Sequence, residues 1–351
     1  MPNNSFPDVL PPDLHYVDDT HPGITRKTLR GKFCYFDPDG ARIVDPDEIK
    51  RINALAVPPA YKDVWICTDP LGHLQATGRD ARGRKQYRYH ARWREVRDAS
   101  KYARLRDFGL ALPKLRQKLE TSLASPGFSR DKVMATVITL LDATLIRVGN
   151  SQYAKDNRSY GLTTLRSRHV QISGTTIKFQ FRGKSGVEHQ VSVKDRRLAR
   201  IIKRCLEIPG QNLFQYLDED GVRHSIMSSD VNAYLQTLTG ADFTAKDYRT
   251  WAGSALALSV LRELQWEPES DAKRHIVEMV KNVAKHLGNT PAVCRKCYIH
   301  PAVIDSFKLG ALAKLPKPRV RKGLNVQEVG LAMFLESMLD AAQASGKNAL
   351  A

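Results

Sequence analysis

Gly288-Asn289-Thr290-Pro291-Ala292-Val293-Cys294-Arg295-Lys296-Cys297-Tyr298 is the stretch on which the reading of this chain turns. Asn289 stands between a glycine and Thr-Pro, so a loop or helix break there can aim it and Tyr298, nine residues on, at one point. By itself Tyr298 reads as an ordinary core or surface residue. Three upstream segments change that reading: Ile146-Arg147-Val148-Gly149-Asn150, Arg182-Gly183-Lys184-Ser185-Gly186 and Lys246-Asp247-Tyr248-Arg249-Thr250-Trp251. They place Arg147, Lys184 and Arg249, in that order, ahead of Asn289 and Tyr298. Such a set suits attack of a phenolic oxygen on a phosphodiester, with cations holding the developing charge and no metal required. A phenol has a pKa near 10, so attack at neutral pH needs cations nearby to favour the phenolate. Two arginines neutralise the non-bridging oxygens, and a lysine can give a proton to the leaving 5′-oxygen, which an arginine does poorly. Asn289 can donate a hydrogen bond but exchanges no proton.

Composition supports a polyanionic partner. The 351 residues hold 55 Lys and Arg against 37 Asp and Glu, a net charge of +18, with an ordinary 42% hydrophobic content. That excess repels itself unless a polyanion is near, which makes nucleic acid the leading partner. An anionic membrane surface is the competing reading, but there is no run of 18 apolar residues and no long basic amphipathic helix. The N-terminus lacks the basic start and apolar run of a secretory signal. Cys34, Cys67, Cys205, Cys294 and Cys297 are an odd, scattered set, read as reduced thiols in a cytosolic protein. Cys294-x-x-Cys297 has no second pair to complete a zinc site and no βαβ context for a redox dithiol. Both cysteines are expected to be small apolar residues on the helix that carries Tyr298.

Residues 1–30, punctuated by Pro, Asp and Gly, read as irregular. A strand is expected at 32–36, a short helix at 46–55 and a hairpin from 64–68 and 73–77. Residues 79–106 are a basic stretch, with 11 Arg or Lys against three acids and Tyr87, Tyr89, Trp93 and Tyr102 interleaved. With so few acids to pair with, Arg84, Lys85, Gln86, Tyr87 and Tyr89 are candidate DNA contacts, the cations to phosphates and the others to a groove or sugars. The domain junction is placed within this stretch, near residue 90. Helices follow at about 108–124, 130–147, 195–206, 228–239, 245–264, 270–287 and 326–343, interrupted by a three-stranded meander at 169–172, 176–181 and 188–193. Gly183-Lys184-Ser185-Gly186 is its last turn. The neighbours of this turn are strands and the P-loop spacing is absent, so a phosphate cradle is excluded and a solvated turn lysine is the plain alternative. Arg147 is expected on the helix Lys132–Val148, near its C-terminus, where a snorkelling or capping arginine would be ordinary. Lys246 and Arg249 fall at the start of another apolar helix, where cations oppose the dipole and an anion would meet free backbone N–H groups.

Taken as an ordered set, these segments resemble the type IB DNA topoisomerases of the small poxvirus-like class, in particular the bacterial members. The resemblance rests on 83–89, Leu145–Asn150, Tyr160-Gly161-Leu162-Thr163-Thr164-Leu165, Arg182–Lys184, Lys246–Trp251, Leu287–Pro291 and Cys297-Tyr298. It implies an α+β fold: a small β-rich N-terminal DNA-clamp domain (1–90) and a larger, mainly α-helical catalytic domain with a three-stranded antiparallel sheet (91–351). It implies relaxation of supercoiled double-stranded DNA through a 3′-phosphotyrosyl intermediate, strand swivelling and religation, by a monomer using no ATP, metal or small-molecule cofactor. Tyr298 would be the nucleophile, Arg147 and Lys184 would serve the leaving oxygen, and Arg147 and Arg249 would grip the phosphate. Asn289 falls where many relatives have His, which keeps a hydrogen bond but removes imidazole proton transfer. A cytoplasmic, nucleoid-associated bacterial protein without membrane attachment is expected. The alternative is a tyrosine recombinase. Against it stand Lys-x-x-Arg at 246–249 in place of His-x-x-Arg, the long interval from Arg249 to Asn289, and the strand-rich N-terminal lobe. A non-catalytic basic DNA-binding protein would make the five-residue set a coincidence.

Overall fold

The computed structural model describes residues 10–81, 83–264 and 272–348. The chain divides into an N-terminal unit that ends at Ala103 and a larger one that begins at Arg104.

The N-terminal unit is built on strands β1 (Ile24–Leu29), β2 (Lys32–Phe36), β3 (Lys62–Ile66), β4 (Leu74–Arg79) and β5 (Lys85–Tyr89), with helix α1 (Pro46–Ala54) between β2 and β3. All neighbours are antiparallel, in the order β2-β1-β3-β4-β5. Arg30 and Gly31, both at positive φ, make the two-residue turn between β1 and β2. Asp45 caps α1 by accepting the Asp47 N–H, and Pro46 opens the helix without losing a needed donor. The core is Ile24, Tyr35, Ile52, Val64, Ile66 and Ala76. The strand, helix and hairpin expected from the sequence are all present. The segment expected to be irregular to residue 30 instead contains β1, and residues 1–9 of it lie outside the described ones. Thr25-Arg26-Lys27-Thr28 carries no apolar alternation and only Ile24 of β1 is buried, so pairing on both sides makes this strand.

In the larger unit, α2 (Ala91–Ala124) contains the unit boundary and begins well before the expected 108. It is followed by α3 (Arg130–Thr144), α4 (Ser151–Asn157) and the meander β6 (Val170–Ser173), β7 (Thr176–Arg182), β8 (Glu188–Lys194). Then come α5 (Arg196–Glu207), the hairpin β9 (Gln215–Leu217) and β10 (Arg223–Ser225), α6 (Ser228–Thr239), α7 (Ala245–Glu263), α8 (Ala272–Leu287), α9 (Pro291–Cys297), α10 (Pro301–Lys308) and α11 (Val326–Asn348). Residues 270–271 of the helix expected at 270–287 are not among the described ones. The sequence reading lacked α4, α10 and the β9–β10 hairpin, each too short to show a period.

Helix α7 is the buried axis of this unit: Tyr248, Trp251, Ala255, Leu258 and Leu261 are all enclosed. Gly109 admits the Trp251 ring, which a β-carbon there would meet at 2.2 Å. The Trp251 indole donates to Glu328 at 3.2 Å, and Arg116 bridges Glu328 and Asp142 at 2.8 and 2.7 Å. Burial would lower the Arg116 guanidinium, but its hydrogen bonds to both carboxylates hold it well above its ordinary value. This network ties α2, α3, α7 and α11 together. Among the described residues no helix is long and apolar enough to cross a membrane.

Candidate active site

The first component is the loop after α3. The expected helix to Val148 stops at Thr144, because Leu145 turns into the left-handed region at φ 54. Arg147 is therefore a loop residue, not a helix-terminal one. Its carbonyl accepts the Leu162 N–H at 2.9 Å, and the Val148 carbonyl accepts the Thr163 N–H at 2.7 Å and its hydroxyl at 2.9 Å. Gly161 allows this close approach: a β-carbon there would stand 2.4 Å from the Arg147 oxygen and 2.7 Å from the Gly149 α-carbon. The Gly161-Leu162-Thr163 segment thus holds the Arg147 loop in place.

The second component is Arg249, on α7 and only 3% exposed. It donates to the carbonyl of Leu145, which caps the C-terminus of α3, and at 2.7 Å to that of Leu287, the last residue of α8. Helix ends leave such carbonyls without partners and carry partial negative charge. Arg147 donates to the Gly288 carbonyl at 3.3 Å. Among the described residues neither guanidinium has a carboxylate within ion-pair distance. Burial, and then Arg249, push Arg147 below its ordinary value, while Tyr298 and Cys294 oppose this.

The third component is the tyrosine. Tyr298 closes α9, its N–H donating to the Cys294 carbonyl at 2.9 Å, and its ring centroid lies 5.0 Å from the Arg249 guanidinium carbon. Its carbonyl accepts the Ser254 hydroxyl at 3.3 Å and abuts Gly253, where a β-carbon would be 2.6 Å away. Asn289 sits between α8 and α9, its N–H bonded to the Ala284 carbonyl at 2.9 Å. Its side-chain nitrogen is buried without an oxygen or nitrogen partner, and the Cys294 thiol beside it is a weak acceptor. The Arg249 Nε is likewise buried and unpartnered. The structure thus brings Arg147, Arg249, Asn289 and Tyr298 together around idle donors. Cys294 is fully buried, and its burial pushes the thiol up, as suits an apolar spacer. Sequence reasoning included Gly161 in a motif without its contact with the Arg147 loop, and missed Gly253. An isolated glycine in the apolar run of α7 was the available signal for the second.

The remaining candidates lie elsewhere. Lys184 is exposed and opens a three-residue 3-10 turn within the connection between β7 and β8, and it makes no hydrogen bond or ion pair to a described residue. Lys246 is exposed in the first turn of α7. The free N–H groups expected there are not free: Asn232 takes that of Ala245 at 3.1 Å, and the Asp247 carboxylate takes that of Thr244 at 2.7 Å. In the N-terminal unit, Lys85, Tyr87 and Tyr89 share one face of the edge strand β5 and Gln86 lies on the other. Tyr87 is 45% exposed and parallel to Tyr89, with centroids 6.1 Å apart and the Lys85 ammonium 5.7 Å away. The premise that these cations lack acids needs correction. Arg84 pairs with Asp80 at 2.6 Å and Lys85 with Asp19 at 2.5 Å, and Gln86 donates to Asp80 at 3.1 Å. Asp19 is supplied by a distant segment, which a count within 79–106 could not include.

A buried arginine, a half-buried one and an amide converge on a phenol in a helical unit that follows an antiparallel, strand-rich one. Residues 90–315 match the family model for the catalytic core of eukaryotic DNA topoisomerase I, and residues 32–80 that for the N-terminal domain of bacterial DNA topoisomerase IB. The DNA topoisomerase 1B of Acanthamoeba polyphaga mimivirus is 34% identical over 295 residues, 82% of this chain and 88% of the viral one. That of Vaccinia virus (strain Copenhagen) is 24% identical over 254 residues, 71% and 76% of the two chains. DNA topoisomerase 1 of Candida albicans is 25% identical over 217 residues, 55% of this chain and 26% of its own. The chain belongs to the type IB DNA topoisomerases, which are isomerases acting on DNA.

Proposed function

We propose that this chain relaxes supercoiled duplex DNA by cutting one strand with Tyr298, letting the free 5′-hydroxyl end swivel, and resealing the nick. The phenolic oxygen attacks the scissile phosphorus and the bond to the 5′-oxygen breaks, leaving a 3′-phosphotyrosyl ester; religation is the reverse. Arg147 and Arg249 hold the non-bridging oxygens, Asn289 donates a further hydrogen bond, and Lys184 gives the leaving oxygen its proton once DNA draws the hairpin in. The observation that carries this reading is a pair of guanidiniums, Arg249 buried and Arg147 half-buried, bonded to backbone carbonyls and, among the described residues, to no carboxylate. Cations drawn out of water and left in that state favour an anion, and the orphan donors on Arg249 and Asn289 are available to it.

The N-terminal unit and the helical unit would each grip the duplex, with Arg84, Lys85, Gln86, Tyr87, Tyr89 and Lys246 against it. The enzyme would act as a monomer, without ATP, metal or small-molecule cofactor, at the nucleoid in a bacterial cytoplasm. Supercoiled plasmid incubated with the protein in EDTA without ATP should relax, whether its supercoils are positive or negative, and Tyr298→Phe should abolish relaxation while binding persists. An absolute requirement for Mg²⁺ or ATP, or an active Tyr298→Phe, would refute it.

A further inference from the structure

Between the hairpin that carries Lys184 and the loop that carries Asn289 stands an imidazole with no part in the chemistry above. His189 is the second residue of β8, paired with Phe181 across the hairpin. The two rings lie parallel, 5.0 Å apart and inclined by 6°, and Phe181 is buried, so the imidazole is supported on one face. Its edge meets two glycines. A β-carbon at Gly183 would lie 2.5 Å from Cδ2 and 2.6 Å from Nε2, and one at Gly288 would lie 2.4 Å from Cε1. Gly183 immediately precedes Lys184. Gly288 immediately precedes Asn289, and its carbonyl holds Arg147. The ring fills the gap between these two backbones and sets their separation.

Gly288, at φ 59, has a backbone reason to be glycine. Gly183 has none: at φ −94 and ψ −167 it is in extended backbone that any residue adopts, so it is the ring that excludes a side chain. Neither ring nitrogen of His189 bonds to a described residue. Burial, then Arg147 and Arg249, lower its basicity, with Glu188 opposing, so no third positive charge joins the two arginines. What the ring contributes here is shape.

We propose that His189 is a positioning residue, a neutral wedge that seats the base of the β7–β8 hairpin against the Gly288-Asn289 loop and so aims Lys184 at the leaving oxygen. This rests on Lys184 being the proton donor. An error of 1 Å in a reacting group costs on the order of 10²-fold, so His189→Ala should slow cleavage of an ordinary strand by roughly 10- to 100-fold. A strand with a 5′-bridging phosphorothiolate expels a thiolate that needs no proton, and there the loss should be under about threefold.

Single-turnover cleavage of both substrates by wild type, Lys184→Ala, His189→Ala and Gly183→Ala tests this, with folding checked by circular dichroism. Gly183→Ala keeps the ring but drives a β-carbon into it, and it should show the same substrate-selective loss even if His189→Ala does not fold. If the thiolate fails to rescue Lys184→Ala, the proton-donor reading falls and the wedge with it. If Lys184→Ala is rescued but Gly183→Ala and any folded His189→Ala are slowed equally on both substrates, or not at all, the wedge alone is refuted.

Discussion

Gly253 lies in the middle of α7, where alanine ordinarily stabilises a helix by about 1 kcal/mol over glycine. Packing at the site reverses that expectation. A β-carbon at 253 would stand 2.6 Å from the Tyr298 carbonyl oxygen, 3.3 Å from its Cβ and 3.2 Å from Leu287 Cδ1. The contact is with backbone, and no flexible side chain can swing away to relieve it. The end of α9 would have to shift by roughly 0.5–1 Å from α7, the helix that carries Arg249, because a close-packed interior transmits such strain. Misplacing a reacting group by 1 Å costs on the order of 10²-fold, or about 2.7 kcal/mol of barrier. Gly253→Ala should therefore cleave about 10²-fold more slowly at saturating DNA, while its DNA affinity stays within about threefold of wild type. The assay is single-turnover formation of the covalent complex on a duplex whose short leaving strand dissociates, with a thermal melt in parallel. A variant that cleaves at close to the wild-type rate and melts higher would show that propensity outweighs the clash, and the argument would fail.

Arg249→Ala should lower the cleavage rate by about 10²–10³, the usual loss for a donor acting in the transition state, with a much smaller change in DNA affinity. The same change leaves the Leu145 and Leu287 carbonyls without their donor, so the melting temperature should fall too; near-normal turnover would show the site misassigned. The paired variant Arg84→Ala/Lys85→Ala should flatten the log–log salt dependence of binding by roughly two units, at about 0.9 per phosphate. An unchanged slope would mean that Asp80 and Asp19 keep these cations when DNA is bound. His73 accepts the Val17 N–H at Nδ1, 3.1 Å away, and burial lowers its basicity. Its folded-state value is depressed, so the stability from the neutral ring is full above the ordinary value near 6.5 and is lost as pH falls through the folded value. Exchange of the Val17 amide, corrected for its intrinsic rate, should therefore speed up on going from about pH 7.5 to about pH 5; equal protection at both would refute this.

Long periodic segments made most of the fold legible. The stripes of α3, α5 and α7 and the alternation of β7 and β8 place their elements to within a few residues, because burial of one face leaves a period in the sequence. Elements held by pairing or capping leave none. Strand β1 is polar along most of its length, and β5 is hidden in a run of charge. Helix α4 is seven residues, begun by the Asn150 side chain and ended by Arg158 in the left-handed region. Helix α3 shows the opposite error. Its apolar stripe continues into Leu145, which is buried although the helix has already ended, so the period extrapolates past the true terminus.

That misplaced end bears on the chemistry. The residue types and order of the proposed site were readable: Lys184 and Asn289 each follow a glycine, Arg147 stands two residues before Gly149, Arg249 lies near the start of a helix, and Tyr298 ends the short helix that follows Asn289. The partners of the arginines were not. By ending at Thr144, α3 puts Arg147 into a loop and leaves the Leu145 carbonyl for Arg249, while the end of α8 supplies the Leu287 carbonyl. A carboxylate in either place would hold the guanidinium as firmly but would neutralise it. Carbonyls at helix C-termini bring only partial negative charge, enough to fix a buried cation without cancelling it. The positive charge is left uncancelled, which the proposed stabilisation of a phosphate's transition state requires. Such pairings join residues 38 and 104 positions apart and have backbone carbonyls as acceptors, so no pattern of paired side chains in the sequence could have announced them.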